Sequence, residues 1–280
     1  MLDKPAGCTS HDVVDVARRA FGTRRVGHAG TLDPFATGLL PLLVGRATRL
    51  MQYVVGLSKR YAGTIRLGER TDTDDLTGTV LASDDRWRAV TDEDLDQAAR
   101  THTGRILQRP PAFSAKKVAG QRAYRRARRG EPLDLEPREV EVLLFEITAR
   151  SGRDCDFVAE VGSGTYIRSL ARDVGEALGC GAHLHALRRI AVGRWDVEAA
   201  LPLSALRAGT ARLEPPAGLV AHLPRRAVTP EERDLVRHGR PLPATTEDTG
   251  PVALLAGDTL VAVAESVGGM LKPRVVLEGE

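Results

Sequence analysis

The stretch RRVGHAGTLDPFATGLLPLLVG, Arg24 to Gly45, limits what this chain can fold into more than any other. Glycines at 22, 27, 30 and 38, with no helical or alternating period between them, argue against a regular element there and predict a structured loop from Gly22 to Gly38. Leu39 to Val44 is apolar, and Ala47, Leu50, Met51, Val54 and Val55 then fall on one side of a helix ending near Gly56. A single carboxylate, Asp33, is thus presented on a loop braced by buried segments, with no second acid or cysteine beside it.

The rest of the chain alternates short strands and helices. MLDKPAGCTS reads as a strand stub and a Pro/Gly turn, after which Ser10 caps a helix to about Phe21. KRYAGTIRLG suits a strand with Tyr61 near its start, and ERTDTDDLTGTV an acidic turn. Thr91 with Asp94 is a capping-box signal for a helix to about Thr103. Two prolines at 110 and 111 precede a basic excursion containing a short helix, around Gln121 to Arg129. EVEVLLFEITAR and DCDFVAEVG read as neighbouring strands, GTYIRSLARDVGEALG as a glycine-led turn into a helix, and AHLHALRRIAVGRW as a further strand. Past about Gly209 the composition shifts to Ala, Pro and Thr. A helix near Pro230 to His238 and strands at Val252 to Leu255, Thr259 to Ala264 and Arg274 to Leu277 predict a small barrel.

The 280 residues suffice for two ordinary domains. Cys8, Cys155 and Cys180 are far apart and form neither a disulfide framework nor a metal-ligand spacing. No run of eighteen apolar residues and no leader peptide is visible, so a cytoplasmic protein without a membrane partner is expected. The net charge is only +3, yet residues 101 to 130 hold nine Lys/Arg and no acid, whereas residues 69 to 96 hold ten acids against three Arg. One basic face on a nearly neutral chain is the expected result.

GHAGTLDPFATGLL resembles the catalytic motif of the bacterial TruB-family tRNA pseudouridine synthases, which isomerise uridine 55 in the T loop of transfer RNA. DKPAGCTS, KRYAGTIRLGERTDTDD, RPPAFSAKKVAGQRAYRRARRG, GTYIRSLARDVGEALG and AHLHALRR look like further blocks of that family in its order, covering roughly residues 3 to 205. Two features depart from the family pattern. The leading strand before Asp3 is nearly absent, leaving open an earlier natural start, and Phe113 stands where a tyrosine is common.

The resemblance implies an α+β pseudouridine synthase fold with a mixed, largely antiparallel central sheet flanked by helices. It implies a catalytic domain over residues 1–215, carrying a basic thumb insertion at about 105–135, and a small β-rich PUA-like domain contacting RNA over 216–280. Asp33 would be the nucleophile, although an isolated Asp-Pro more often only shapes a turn. Arg168 would hold that carboxylate ionised through charge-assisted hydrogen bonds, and Tyr61 would stack on the target base and is a candidate for proton transfer. Tyr166 and Leu187 would line the pocket, and His28 would help hold the nucleotide out of its stack. Lys4 would shape a pocket rim and meet a phosphate or an acidic neighbour, and Asp75 would hold another basic group of the site. Lys116, Lys117, Arg122, Arg125, Arg126, Arg128 and Arg129 have the composition of a phosphate-contacting finger.

No glycine-rich dinucleotide cradle or metal-ligand cluster is present in the sequence, and the isomerisation changes no redox state, so neither cofactor nor catalytic metal is expected. The expected partner is the tRNA T stem-loop, with no obligate protein partner. Two alternatives stay open at this level: a synthase of the same fold acting on ribosomal RNA, and a tRNA-folding RNA-binding module with secondary catalysis.

Overall fold

The computed structural model describes residues 1–112, 117–118, 121–122 and 135–278, and it segregates into two compact units. The first gathers Met1–Thr9, Leu32–Leu39 and Leu57–Ala200. Its sheet runs Leu2–Lys4, Thr37–Leu40, Ala182–Val192, Lys59–Leu67, Asp154–Val161, Arg138–Ser151 and Gly104–Gln108 in spatial order. Thr37–Leu40 lies parallel to Ala182–Val192, and every pairing from there to Gly104–Gln108 is antiparallel, giving the mixed, largely antiparallel sheet expected.

Alternation explains these strands. Lys59–Leu67 sends Tyr61, Ile65 and Leu67 into one apolar cluster with Cys155, Phe157, Ala159 and Val161 of its neighbour. The helices Asp92–Thr101 and Ile167–Ala177 close that cluster with Leu95, Ala98, Ala99, Leu170, Ala171 and Val174. The predicted capping box is formed: Thr91 accepts from the Asp94 N–H, and the Asp94 carboxylate accepts from the Thr91 N–H.

Gly38 and Gly63 are dictated by close approach. A Cβ on Gly38, whose φ is +104°, would stand 2.2 Å from the Arg189 carbonyl oxygen; one on Gly63 would stand 2.5 Å from the Ala186 carbonyl and 2.8 Å from the Phe157 ring.

The second unit comprises Ser10–Thr31, Leu40–Gly56 and Leu201–Glu280. Its five-stranded sheet runs Arg225–Ala227, Pro251–Ala256, Thr259–Val267, Met270–Val276, Leu242–Pro243, around a core of Val236, Leu242, Val252, Leu254, Val261 and Leu271. This is the expected PUA-like curled sheet, with the helix Pro230–Arg237 packed on it.

Three local expectations change. The glycine-rich segment before Gly38 is not all loop, because Val26–His28 pairs antiparallel with Leu42–Val44 and Gly38 itself lies in the strand Thr37–Leu40. The helix expected from Ala47 is a 3-10 turn, Gly45–Leu50, running into a short α-helix, Met51–Val55. Of the helix expected around Gln121 to Arg129, Gln121–Arg122 is instead a strand paired with Lys117–Val118, and residues 123–129 lie outside the described residues.

Candidate active site

Asp33 lies on the loop between Val26–His28 and Thr37–Leu40, flanked by the buried Leu32 and Ala36. The loop is fastened through its backbone: Ala36 N–H donates to the Asp33 carbonyl at 3.1 Å, and Gly7 N–H donates to the Pro34 carbonyl at 2.9 Å. Lys4 is fully buried, and its Nζ donates to the carbonyls of Pro5, Cys8 and Pro34 at 2.9, 2.8 and 3.4 Å. Its enclosure leaves no room for a phosphate, so Lys4 acts as an internal tie whose charge reaches Asp33.

Arg168, at the start of Ile167–Ala177, is the hub. Its Nε lies 3.0 Å from Asp33 Oδ2, while Nη1 donates to the Thr73 carbonyl at 3.0 Å and to Asp75 Oδ2 at 3.3 Å. The Arg168 side chain is 8% exposed and that of Asp75 4%, whereas Asp33 retains 35% on its open side. Asp75 is fixed in turn by hydrogen bonds to Oδ1 from Thr73 Oγ1, Thr77 N–H and Thr77 Oγ1. The turn that carries it docks on the strand Ala182–Val192 through Leu184 N–H to the Asp74 carbonyl and Leu76 N–H to the Leu184 carbonyl.

Burial pushes the Asp33 carboxyl above its ordinary value; the Arg168 charge pulls it down, Asp75 pushes it up and Lys4 pulls it down, and the net shift is upward.

Tyr61 is buried, opposite Ala159 on one side and Arg189 on the other, in the same apolar cluster as Leu32 and Ala36. Leu187 pairs with Gly63 and lines a cavity of about 660 Å³ together with Phe35, Thr37, Leu76, Phe157 and Arg188. Asp33 itself is not among the residues lining that cavity, although Phe35, two positions on, is. Tyr166 caps the helix Ile167–Ala177 from a half-buried position. His28 ends the strand Val26–His28 opposite Leu42, five residues upstream of Asp33 in the chain.

Of the basic excursion, Lys117 and Arg122 are register partners in the antiparallel pairing of Lys117–Val118 with Gln121–Arg122. Lys116, Arg125, Arg126, Arg128, Arg129 and Phe113 lie outside the described residues.

Sequence reasoning missed a second ion pair one helical turn beyond the first. Arg172 Nη1 meets Asp74 Oδ2 at 3.0 Å, and Asp74 has φ +59°, the sole non-glycine with positive φ among the described residues. The signal was an arginine pair spaced four apart on a helix, opposite two consecutive acids in a turn. It also missed Gln108, whose side-chain amide grips the backbone of Tyr166.

A family model described as TruB family pseudouridylate synthase (N terminal domain) matches residues 18–167, and one described as tRNA pseudouridylate synthase B C-terminal domain matches residues 168–235. Fold and site together therefore define a pseudouridylate synthase. The tRNA pseudouridine synthase B of Thermobifida fusca (strain YX) is 47% identical over 100% of this chain and 98% of its own, and that of Arthrobacter sp. (strain FB24) is 45% identical over 99% and 95%. Among solved structures, a chain of a Cbf5-Nop10-Gar1 complex superposes with a TM-score of 0.76 at 27% identity, covering 99% of this chain and 84% of that one. A chain of an H/ACA RNP bound to a substrate RNA containing 2'-deoxyuridine gives 0.75 at 26%, with the same coverage. The chain belongs to the TruB family.

Proposed function

We propose that this protein converts uridine 55 in the T loop of transfer RNA to pseudouridine, with Asp33 as nucleophile. The observation that carries the residue assignment is the Asp33 carboxylate, fixed by Arg168 at 3.0 Å on a loop whose Asp33 and Pro34 carbonyls each accept a backbone hydrogen bond. In the reaction the bond from ribose C1' to N1 of uracil breaks, the base turns without leaving, and C1' bonds to C5. The C5 proton is lost and N1 gains one, so no atom or electron is added and no cofactor is required.

Asp33 keeps the detached base captive by covalent attachment, at the base or at the ribose, until it has turned. Arg168, itself anchored by Asp75, holds that carboxylate in one orientation and favours its ionised form against the opposing push of burial. Tyr61 stacks on the everted base, and Leu187 and Tyr166 wall the pocket against water. His28 occupies space vacated by the flipped nucleotide, offsetting part of the unstacking cost. Lys4 and Asp75 support these groups from below. The basic excursion, from Lys116 to Arg129, grips the phosphates of the T arm. In this reading residues 1–215 carry the chemistry, residues 216–280 add an RNA-contacting module, and the protein works in the cytoplasm. No helix among the described residues is long and apolar enough to cross a membrane.

The test is nucleotide-resolution pseudouridine mapping of unmodified transfer RNA after incubation with the purified protein, beside Asp33→Asn. Modification confined to position 55, and lost in the variant with RNA binding kept, is the expected result. Near wild-type conversion by Asp33→Asn rejects the assignment. Conversion of a ribosomal fragment in preference to a T stem-loop rejects the substrate.

A further inference from the structure

The helix Ile167–Ala177 begins without a side-chain cap of its own, for Tyr166 offers none. Its first backbone groups are held from outside. Tyr166 N–H donates to Gln108 Oε1 at 2.8 Å, and Gln108 Nε2 donates back to the Tyr166 carbonyl at 3.1 Å. Gln108 is 1% exposed and terminates the strand Gly104–Gln108, where the chain enters the basic excursion. The next residue continues the attachment: the Arg109 carbonyl accepts from Ser169 Oγ at 2.9 Å and from Arg172 Nη2 at 2.8 Å. Four hydrogen bonds from two consecutive residues thus fix the first turn and a half of the helix that presents Arg168.

We propose that Gln108 is a positioning residue, which by clamping both backbone groups of Tyr166 sets the direction in which Arg168 reaches Asp33 and Asp75. Two features single it out from ordinary packing. A primary amide carries its acceptor and its donors on two separate atoms, so it can accept from the N–H and donate to the C=O of one residue at once. The residue it clamps, Tyr166, immediately precedes Arg168's own turn of helix and walls the pocket in the function proposed above. The role of the clamp in catalysis rests on that function; the clamp itself is independent of it.

The consequence is chemical. If the helix start loosens, Arg168 loses its fixed contact with Asp33, and the downward pull of its charge on that carboxyl weakens. A role confined to stability would lower the melting point and leave the Asp33 titration where it was.

The experiment uses the full chain with Gln108→Leu and Gln108→Glu. Carboxyl carbon NMR of the RNA-free protein follows the Asp33 titration, and single-turnover kinetics on a T stem-loop separate the rate of modification from RNA affinity. In Gln108→Leu the Asp33 titration moves up by at least about half a pH unit, and the rate falls at least roughly tenfold with RNA affinity within about threefold. Gln108→Glu keeps the acceptor for Tyr166 N–H but, ionised, cannot donate to its carbonyl. Its defect relative to wild type therefore narrows as the pH is lowered and the introduced carboxyl takes up a proton. An unmoved Asp33 titration in both variants, or a pH-independent defect in Gln108→Glu, overturns the proposal. If Gln108→Leu does not fold, Gln108→Glu alone decides. Failure of the wild type to form pseudouridine would sink the proposed function, while the Asp33 titration would still report on the clamp by itself.

Discussion

Arg168 meets Asp33 through Nε at 3.0 Å while the far edge of the same guanidinium meets Asp75 at 3.3 Å. A planar fork presents separate N–H groups to the two carboxylates in fixed directions; an ammonium is a compact point charge without that fixed spread. Arg168→Lys is therefore expected to bind RNA normally but to lose turnover by on the order of 10²–10³, the effect of removing one preorganised electrostatic contact. Arg168→Leu goes further and strands Asp75 without a counter-charge, at about 3–5 kcal/mol of folding stability measured by urea denaturation.

Asp33 gives a prediction whose sign follows from its raised pKa. Its folded-state value lies above its unfolded one because burial outweighs Arg168 and Lys4. Stability tied to the protonated form is fully present below the unfolded value and is lost as the pH rises through the folded one. Asp33→Asn should then melt higher than wild type at pH 7, with the gap closing as the pH falls towards about 4, the ordinary Asp range. The same shift moves the acid limb of kcat/KM upward from where an ordinary aspartate would place it. A variant that melts lower than wild type at pH 7 contradicts this ordering.

Tyr61 separates stacking from proton transfer. Tyr61→Phe keeps the ring and is expected to retain RNA affinity within a few-fold while turnover falls about 10²–10⁴, the usual contribution of a positioned acid or base. Tyr61→Leu loses the ring as well and should weaken both. Single-turnover rates with a T stem-loop, set against filter-binding affinities, distinguish the two.

Gly38 tests the framework beneath the loop that carries Asp33. In Gly38→Ala the new methyl meets the Arg189 backbone at 2.2 Å in a conformation that L residues avoid. Strain and overpacking together predict a loss of roughly 2–5 kcal/mol, readable as a lower urea midpoint with unchanged slope.

What could be read in the sequence was local or was carried by resemblance. Thr91 and Asp94 are three residues apart, and their capping box needs nothing distant to form. The strand Lys59–Leu67 shows its alternation in its own letters. The Asp33–Arg168 pair has no such local sign, since nothing in either segment states which residue the other will meet, and only the family motif joined them. The strand Val26–His28 was hidden because three residues among glycines carry no period; its partner Leu42–Val44 decides it. Gln108 was overlooked for a related reason. An amide shortly before two prolines looks like the frayed end of a strand until the helix it clamps is present.

The turn from Thr73 to Asp75 presents two neighbouring acids to two arginines spaced by one helical repeat, Asp75 to Arg168 and Asp74 to Arg172. The arrangement works like a key with two teeth. Sliding the turn by one residue would put Thr73 or Leu76 opposite a guanidinium, so the mismatch would be electrostatic before it was steric. Asp74 accepts a left-handed backbone to keep its tooth in place. The alignment of Arg168 is therefore checked at a second point, one helical turn away from its contact with Asp33.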